Sequence, residues 1–89
     1  MDSVWVFNGA RSNFPSGVFS KREIAEKWIR EQSLTGTLTK YPMDISAYEW
    51  AVSEGHFKPK RPDQESPEFI GLFSDASQEH HHYEEGQLA

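Results

Sequence analysis

Apolar and polar positions change period several times along this chain, and each change marks an element. In SVWVF, Val4 and Val6 fall on one face of an extended segment and Trp5 and Phe7 on the other. β-branched and aromatic residues at period two predict a strand. Both faces are apolar, so the strand is expected in the middle of a sheet or partly covered on its second side. A polar loop, NGARSNFPSG, leads to the short apolar run GVF. An antiparallel hairpin is predicted there.

The period then becomes helical. In FSKREIAEKWIREQS, Ile24, Ala25, Trp28 and Ile29 share one face at helical spacing. Ser20 and Glu23 have capping-box spacing, and Phe19 and Ile24 that of a hydrophobic staple. Glu23–Lys27 and Glu26–Arg30 stand one turn apart with favourable charge. A surface helix packed on the sheet is predicted. LTGTLTKYP follows, with Leu34 and Leu38 alternating against threonines, as in a strand with one buried and one wet face. Pro42 ends it. Asp44 is placed to cap a second helix in DISAYEWAVSEG, which Gly55 stops. Ile45, Ala47, Tyr48, Ala51 and Val52 form its apolar arc, whereas Trp50 points nearly opposite Tyr48. The segment after Gly55, with Phe57, is expected to fold back over Trp50; an exposed Trp50 is the alternative.

HFKPKRPDQESP reads as a crossing loop. Ser66 and Pro67 then start a short helix carrying Phe69, Ile70, Leu72 and Phe73, with a fully buried strand as the alternative. QEHHHYEEG is expected to form a final edge strand, and residues 86–89 to fray. The fold class is therefore α+β. A small mixed, mostly antiparallel sheet carries two main helices in the order β-β-α-β-α, followed by a short helix and an edge strand. A chain of 89 residues suits one domain, 1–89.

Composition narrows the function classes. The chain has no cysteine, which removes disulfides, thiolate nucleophiles and Cys-based zinc sites and suits a reducing compartment. The acidic start MDSVWVFNGA lacks the form of a signal peptide. No run approaches a membrane span, so a cytoplasmic location is expected. The net charge of -5 is unevenly placed: residues 1–61 carry nine Lys/Arg and seven Asp/Glu, whereas residues 62–89 carry seven Asp/Glu and no Lys/Arg. Such an end repels phosphate and suits a basic protein partner, so neither nucleic acid nor membrane is expected.

The segments WVFNGA, SGVFSKREIAEKWI, LTKYPMDISAYEWA, SPEFIGLF and EHHHYEEG resemble a family of small bacterial single-domain proteins classed as a domain of unknown function. The resemblance runs from Trp5 to Gly86 and implies no activity, cofactor or catalytic residue. Small acidic bacterial proteins of this kind include immunity proteins encoded beside secreted toxins, an analogy of fold and charge alone.

The densest chemistry is the histidine triplet. On a strand, His80 and His82 project from one face and His81 and Tyr83 from the other. A His-x-His pair offers two imidazoles to a divalent metal with Glu84 nearby, but a site needs a third ligand. Packed, hydrogen-bonded or solvated histidines are the plainer reading. Lys58, Lys60 and Arg61 are too few for a nucleic-acid footprint. No nucleophile elbow, phosphate loop or paired carboxylates point to an enzyme. Trp50 is the residue type most enriched at binding hot spots. The expectation is a cytoplasmic protein-interaction domain without cofactor, binding a basic partner through Trp50, Tyr83, Glu84 and Glu85. A toxin to be neutralised is one such partner. A metal-binding protein using His80 and His82 and a homo-oligomeric module are the alternatives.

Overall fold

The computed structural model describes residues 2–89. Five antiparallel strands form one sheet in the order β2-β1-β3-β4-β5. They are β1 (Ser3–Gly9), β2 (Pro15–Phe19), β3 (Gly36–Pro42), β4 (His80–Glu84) and β5 (Gln87–Leu88). Between them run α1 (Arg22–Glu31), α2 (Ala47–Ser53), a 3-10 turn (Pro62–Glu65) and α3 (Pro67–Gly71). The fold is α+β, and β1 lies inside the sheet as its two apolar faces require. The helical reading of the segment after Ser66 holds: Ser66 Oγ accepts from the Phe69 N–H at 3.1 Å.

α1 lays Ala25 and Ile29 on Trp5, Phe7, Leu38 and Tyr83, all buried. Trp28 meets Phe7 edge-on at 5.5 Å and leans on Phe19 at 5.3 Å. Phe7, Ile29 and Leu38 are fully enclosed, and each stabilises by about 1.5–3 kcal/mol through burial. β1 and β3 close up only over Gly36, where a Cβ would run into the Asn8 carbonyl and the Phe7 ring. The register places Val18, Val6, Thr39 and His80 in one row on the opposite face. That face stays open: Val18 is 64% exposed.

Local signals at three ends give way to tertiary pairing. Phe19 remains in β2 opposite Trp5, so Ser20 and Lys21 turn the chain out of the sheet. α1 starts at Arg22 with Lys21 as its N-cap and no side-chain cap. The Ser20–Glu23 box and the Ile24 staple are therefore absent, and Ile24 is exposed. The ion pairs are Arg22–Glu26 and Lys27–Glu31, not Glu23–Lys27 and Glu26–Arg30. At α2, Met43 still pairs with Asp2 and Asp44 takes a left-handed turn at φ 62°. Ser46 caps the helix instead, accepting from Glu49 N–H at 3.0 Å. The chain end, expected to fray, pairs as β5. Glu85 (φ 49°) and Gly86 (φ 84°) make a two-residue turn with both central residues left-handed, the hairpin type that matches strand twist. Gly86 N–H also donates to the Leu34 carbonyl at 2.8 Å, and Ala89 N–H to that of His82 at 2.9 Å.

The molecule is elongated. Its radius of gyration is 14.3 Å over extents of 44 × 28 × 19 Å, against about 12 Å for a compact chain of this length. The excess length comes from α2, the 3-10 turn and α3, which build outward from the Pro42 end of the sheet.

Candidate functional site

Gly55, at φ 79°, ends α2 and folds the chain back, so that His56 and Phe57 N–H both donate to the Ala51 carbonyl. This return splits the two rings. His56 lies over Trp50 at 5.2 Å, while Phe57 turns to the Tyr48 side of the helix. There Tyr48, Phe57, Phe69 and Phe73 make a second aromatic cluster, with centroids 5.1–6.3 Å apart. The Tyr48 hydroxyl donates to the Gln64 carbonyl at 2.9 Å and ties the 3-10 turn to α2. None of the four rings is fully buried. α3, five residues long, is too short to bury its apolar side chains, and Leu72 is left 86% exposed.

The result is an open groove of about 670 Å³ floored by Phe57, Phe69 and Phe73. Its charged lining is Asp63, Glu68 and Asp75, with no Lys or Arg. Arg61 pairs with Asp63 at 3.0 Å and holds that carboxyl below its usual range. The Ser77 N–H, donating to Asp75 Oδ1 at 2.9 Å, does the same there. Asp63 and Asp75 are thereby held as carboxylates at neutral pH. The groove can therefore take a large apolar side chain flanked by positive charge.

Trp50 stands outside this groove. The return of the chain after Gly55 covers it as expected, but with His56 in place of Phe57. Half-buried, Trp50 borders a 250 Å³ cleft with Ser3, Lys40 and Pro42, at the seam between α2 and the sheet end. Buried Gln78 closes the same seam: its side-chain N–H donates to the Lys40 carbonyl at 3.4 Å, and its Oε1 accepts from Asp75 N–H at 3.2 Å.

Tyr83 is not a surface residue. It is 5% exposed and its hydroxyl donates to Glu26 Oε2 at 2.6 Å. Burial, then the Glu26 hydrogen bond, push its pKa up to about 12. It is a fixed donor at neutral pH and ties β4 to α1. The same bond holds the Glu26 carboxyl below its usual range. Arg22 Nε, 3.3 Å from Glu26 Oε2, makes a charge contact there without hydrogen-bond alignment. Arg22 also faces Glu79 at 3.7 Å, and Glu79 accepts from His81 Nε2 at 3.0 Å. This chain of side chains stitches α1 to β4 and offers no nucleophile.

Glu84 and Glu85 are exposed at the β4–β5 turn, beside the Gly36 end of β3. The groove lies beyond the Pro42 end, about 20 Å away along a seven-residue strand. The acidic C-terminal third is thus divided between two ends of the molecule. His80 and His82 do share a face, with centroids 5.3 Å apart. Among the described residues, no group of three or more His, Asp or Glu stands close enough to hold a metal, and no helix is long and apolar enough to cross a membrane.

Residues 4–89 match the model of a family described as a domain of unknown function (DUF7710). The chain belongs to that family. No curated protein and no solved structure matches it. Sequence reasoning placed Phe57, Phe69, Leu72 and Phe73 as packing residues and did not mark them, or Glu68 and Asp75, as a site. The signal for them was present: an apolar run bounded by Pro67 and Ser74, too short to enclose its own side chains.

Proposed function

We propose that this domain binds a basic protein partner through the groove between α2 and α3. The observation that carries the reading is Leu72, 86% exposed at the edge of an aromatic cluster whose charged lining is wholly acidic. An isolated surface leucine means little, but one continuous with four half-buried rings makes a patch of the kind that partners cover. Large rings supply affinity and the carboxylates steer a cationic approach. In this reading the partner is met in a bacterial cytoplasm, and a basic toxin held inactive by the domain is its most specific form. Trp50 supports the groove from behind, keeping α2 on the sheet.

The test uses a defined probe. Labelled protein is titrated with the peptide Lys-Lys-Trp-Lys-Lys and with its all-glutamate counterpart while amide shifts are followed. The basic peptide should give saturable shifts at Phe57, Phe69, Leu72 and Phe73, weakened several-fold by raising salt from about 50 to about 300 mM. Glu68→Lys should weaken it further. Equal binding of both peptides, or shifts centred elsewhere, overturns the reading.

A further inference from the structure

The open face of the sheet carries a second arrangement, independent of the groove. Thr37 and Thr39 on β3 stand opposite His82 and His80 on β4, and both histidines are exposed. His80 Nδ1 lies 2.7 Å from the Gln78 carbonyl oxygen. A carbonyl only accepts, so Nδ1 carries the proton, and in the neutral ring the lone pair lies on Nε2. His82 Nδ1 lies 3.2 Å from Thr37 Oγ1, a hydroxyl able to accept from it in the same way. Both rings therefore have an acceptor behind Nδ1, the outer support that metal-bound histidines ordinarily show.

The spacing of the rings meets the same demand. Two imidazoles bound through Nε2 to one tetrahedral zinc, with Zn–N bonds of about 2.0–2.1 Å, place their centroids about 5.2 Å apart. The observed separation is 5.3 Å. Within the chain this is only half a site, because no third histidine or carboxylate among the described residues joins the pair. The missing half must come from elsewhere, and the face is unobstructed: its neighbours Val4, Val6 and Tyr41 are half-buried and Val18 exposed.

We propose that His80 and His82 form half of a zinc site that a second copy of this chain completes with its own His80 and His82. A two-fold axis through the ion gives four Nε2 ligands from two identical half-sites, a closed and self-complementary arrangement. The assembly covers Val4, Val6 and Tyr41 and leaves the groove, on the far side of the α2 seam, free for its own partner.

Untagged, chelator-treated protein is titrated with zinc chloride while sedimentation velocity follows mass. The monomer of 10.2 kDa should convert to twice that mass, saturating at one zinc per two chains and reversing with chelator. His80→Ala and His82→Ala should each abolish the conversion, whereas His81→Gln and His56→Ala should leave it intact. The nitrogen shifts of zinc-bound His80 and His82 should mark Nε2 as the ligand. A chain that stays monomeric at saturating zinc, one zinc per chain without change of mass, ligation through Nδ1, or equal loss in the His81 and His56 variants each overturns the proposal.

Discussion

The two ends of this molecule are built from similar residues and reach different results. At the sheet, one α1 face of Ala25 and Ile29 meets Trp5, Phe7 and Leu38, and every contact is enclosed. Beyond Pro42, four aromatic rings gather around Tyr48, yet only Ala51 of that region's apolar residues is fully buried. The difference lies in what faces the rings. The sheet offers a broad surface held in register by neighbouring strands, so a helix laid on it encloses its contacts. α2 and α3 have seven and five residues and offer each other only narrow stripes. Apolar content alone does not make a core; a second layer wide enough to close over it does.

The largest expected effect tests whether these ends differ in energy as they do in enclosure. Phe7→Ala should cost about 3–5 kcal/mol, a large share of the roughly 4–13 kcal/mol expected of a domain of this size. Phe73→Ala, at a half-buried ring, should cost only about 1–2 kcal/mol. Urea unfolding gives both values. Native-state hydrogen exchange should show amides of α2 and α3 opening locally while those of β1 and β3 wait for global unfolding. Equal costs for the two substitutions, or uniform exchange, would break the comparison and make the groove part of one cooperative core.

A smaller effect concerns the tie between β4 and α1. Tyr83→Phe removes a hydrogen bond to the Glu26 carboxylate and should cost about 1.5–3 kcal/mol at neutral pH. Its pH dependence has a definite sign. The folded-state pKa of Tyr83 is raised to about 12, above the unfolded value of about 10. The stabilisation is therefore complete below pH 10 and lost as pH rises toward 12. Stability of the parent protein should fall across that window more steeply than that of Tyr83→Phe, so the gap between them narrows. A gap that stays constant across this window would overturn the raised pKa, and no gap at any pH would mean that Tyr83 contributes packing alone.

How much of this was legible in the sequence follows from the range of the forces involved. Alternation gave β1 and β3, helical period gave α1, and Ser66-Pro67 gave α3, because these signals lie within a few residues of one another. The parity of a strand also places His80 with His82 and sets Tyr83 on the other face. What a strand's parity cannot say is which face is covered. Tyr83 therefore read as an interaction residue, although α1 lies over it and Glu26 takes its hydroxyl. The groove failed for the same reason. Phe57, Phe69 and Phe73 converge only through the fold-back at Gly55, and no local period records such a convergence.

The smallest effect separates a local capping signal from the cap the fold selects. Ser46 Oγ holds the Glu49 N–H, so Ser46→Ala should cost about 1 kcal/mol. Ser20 has the better sequence pattern, with Glu23 in the matching position, but Lys21 stands at the N-cap position of α1, no side chain caps it, and Ser20 makes no such bond. Ser20→Ala should therefore change stability by less than about 0.5 kcal/mol. The contrast also bears on the two ends. A loss confined to the exchange rates of α2 amides in Ser46→Ala would show that the groove region opens by itself. A loss shared by β1 and β3 would show that the seam at Trp50 and Gln78 couples helix and sheet more tightly than their enclosure implies.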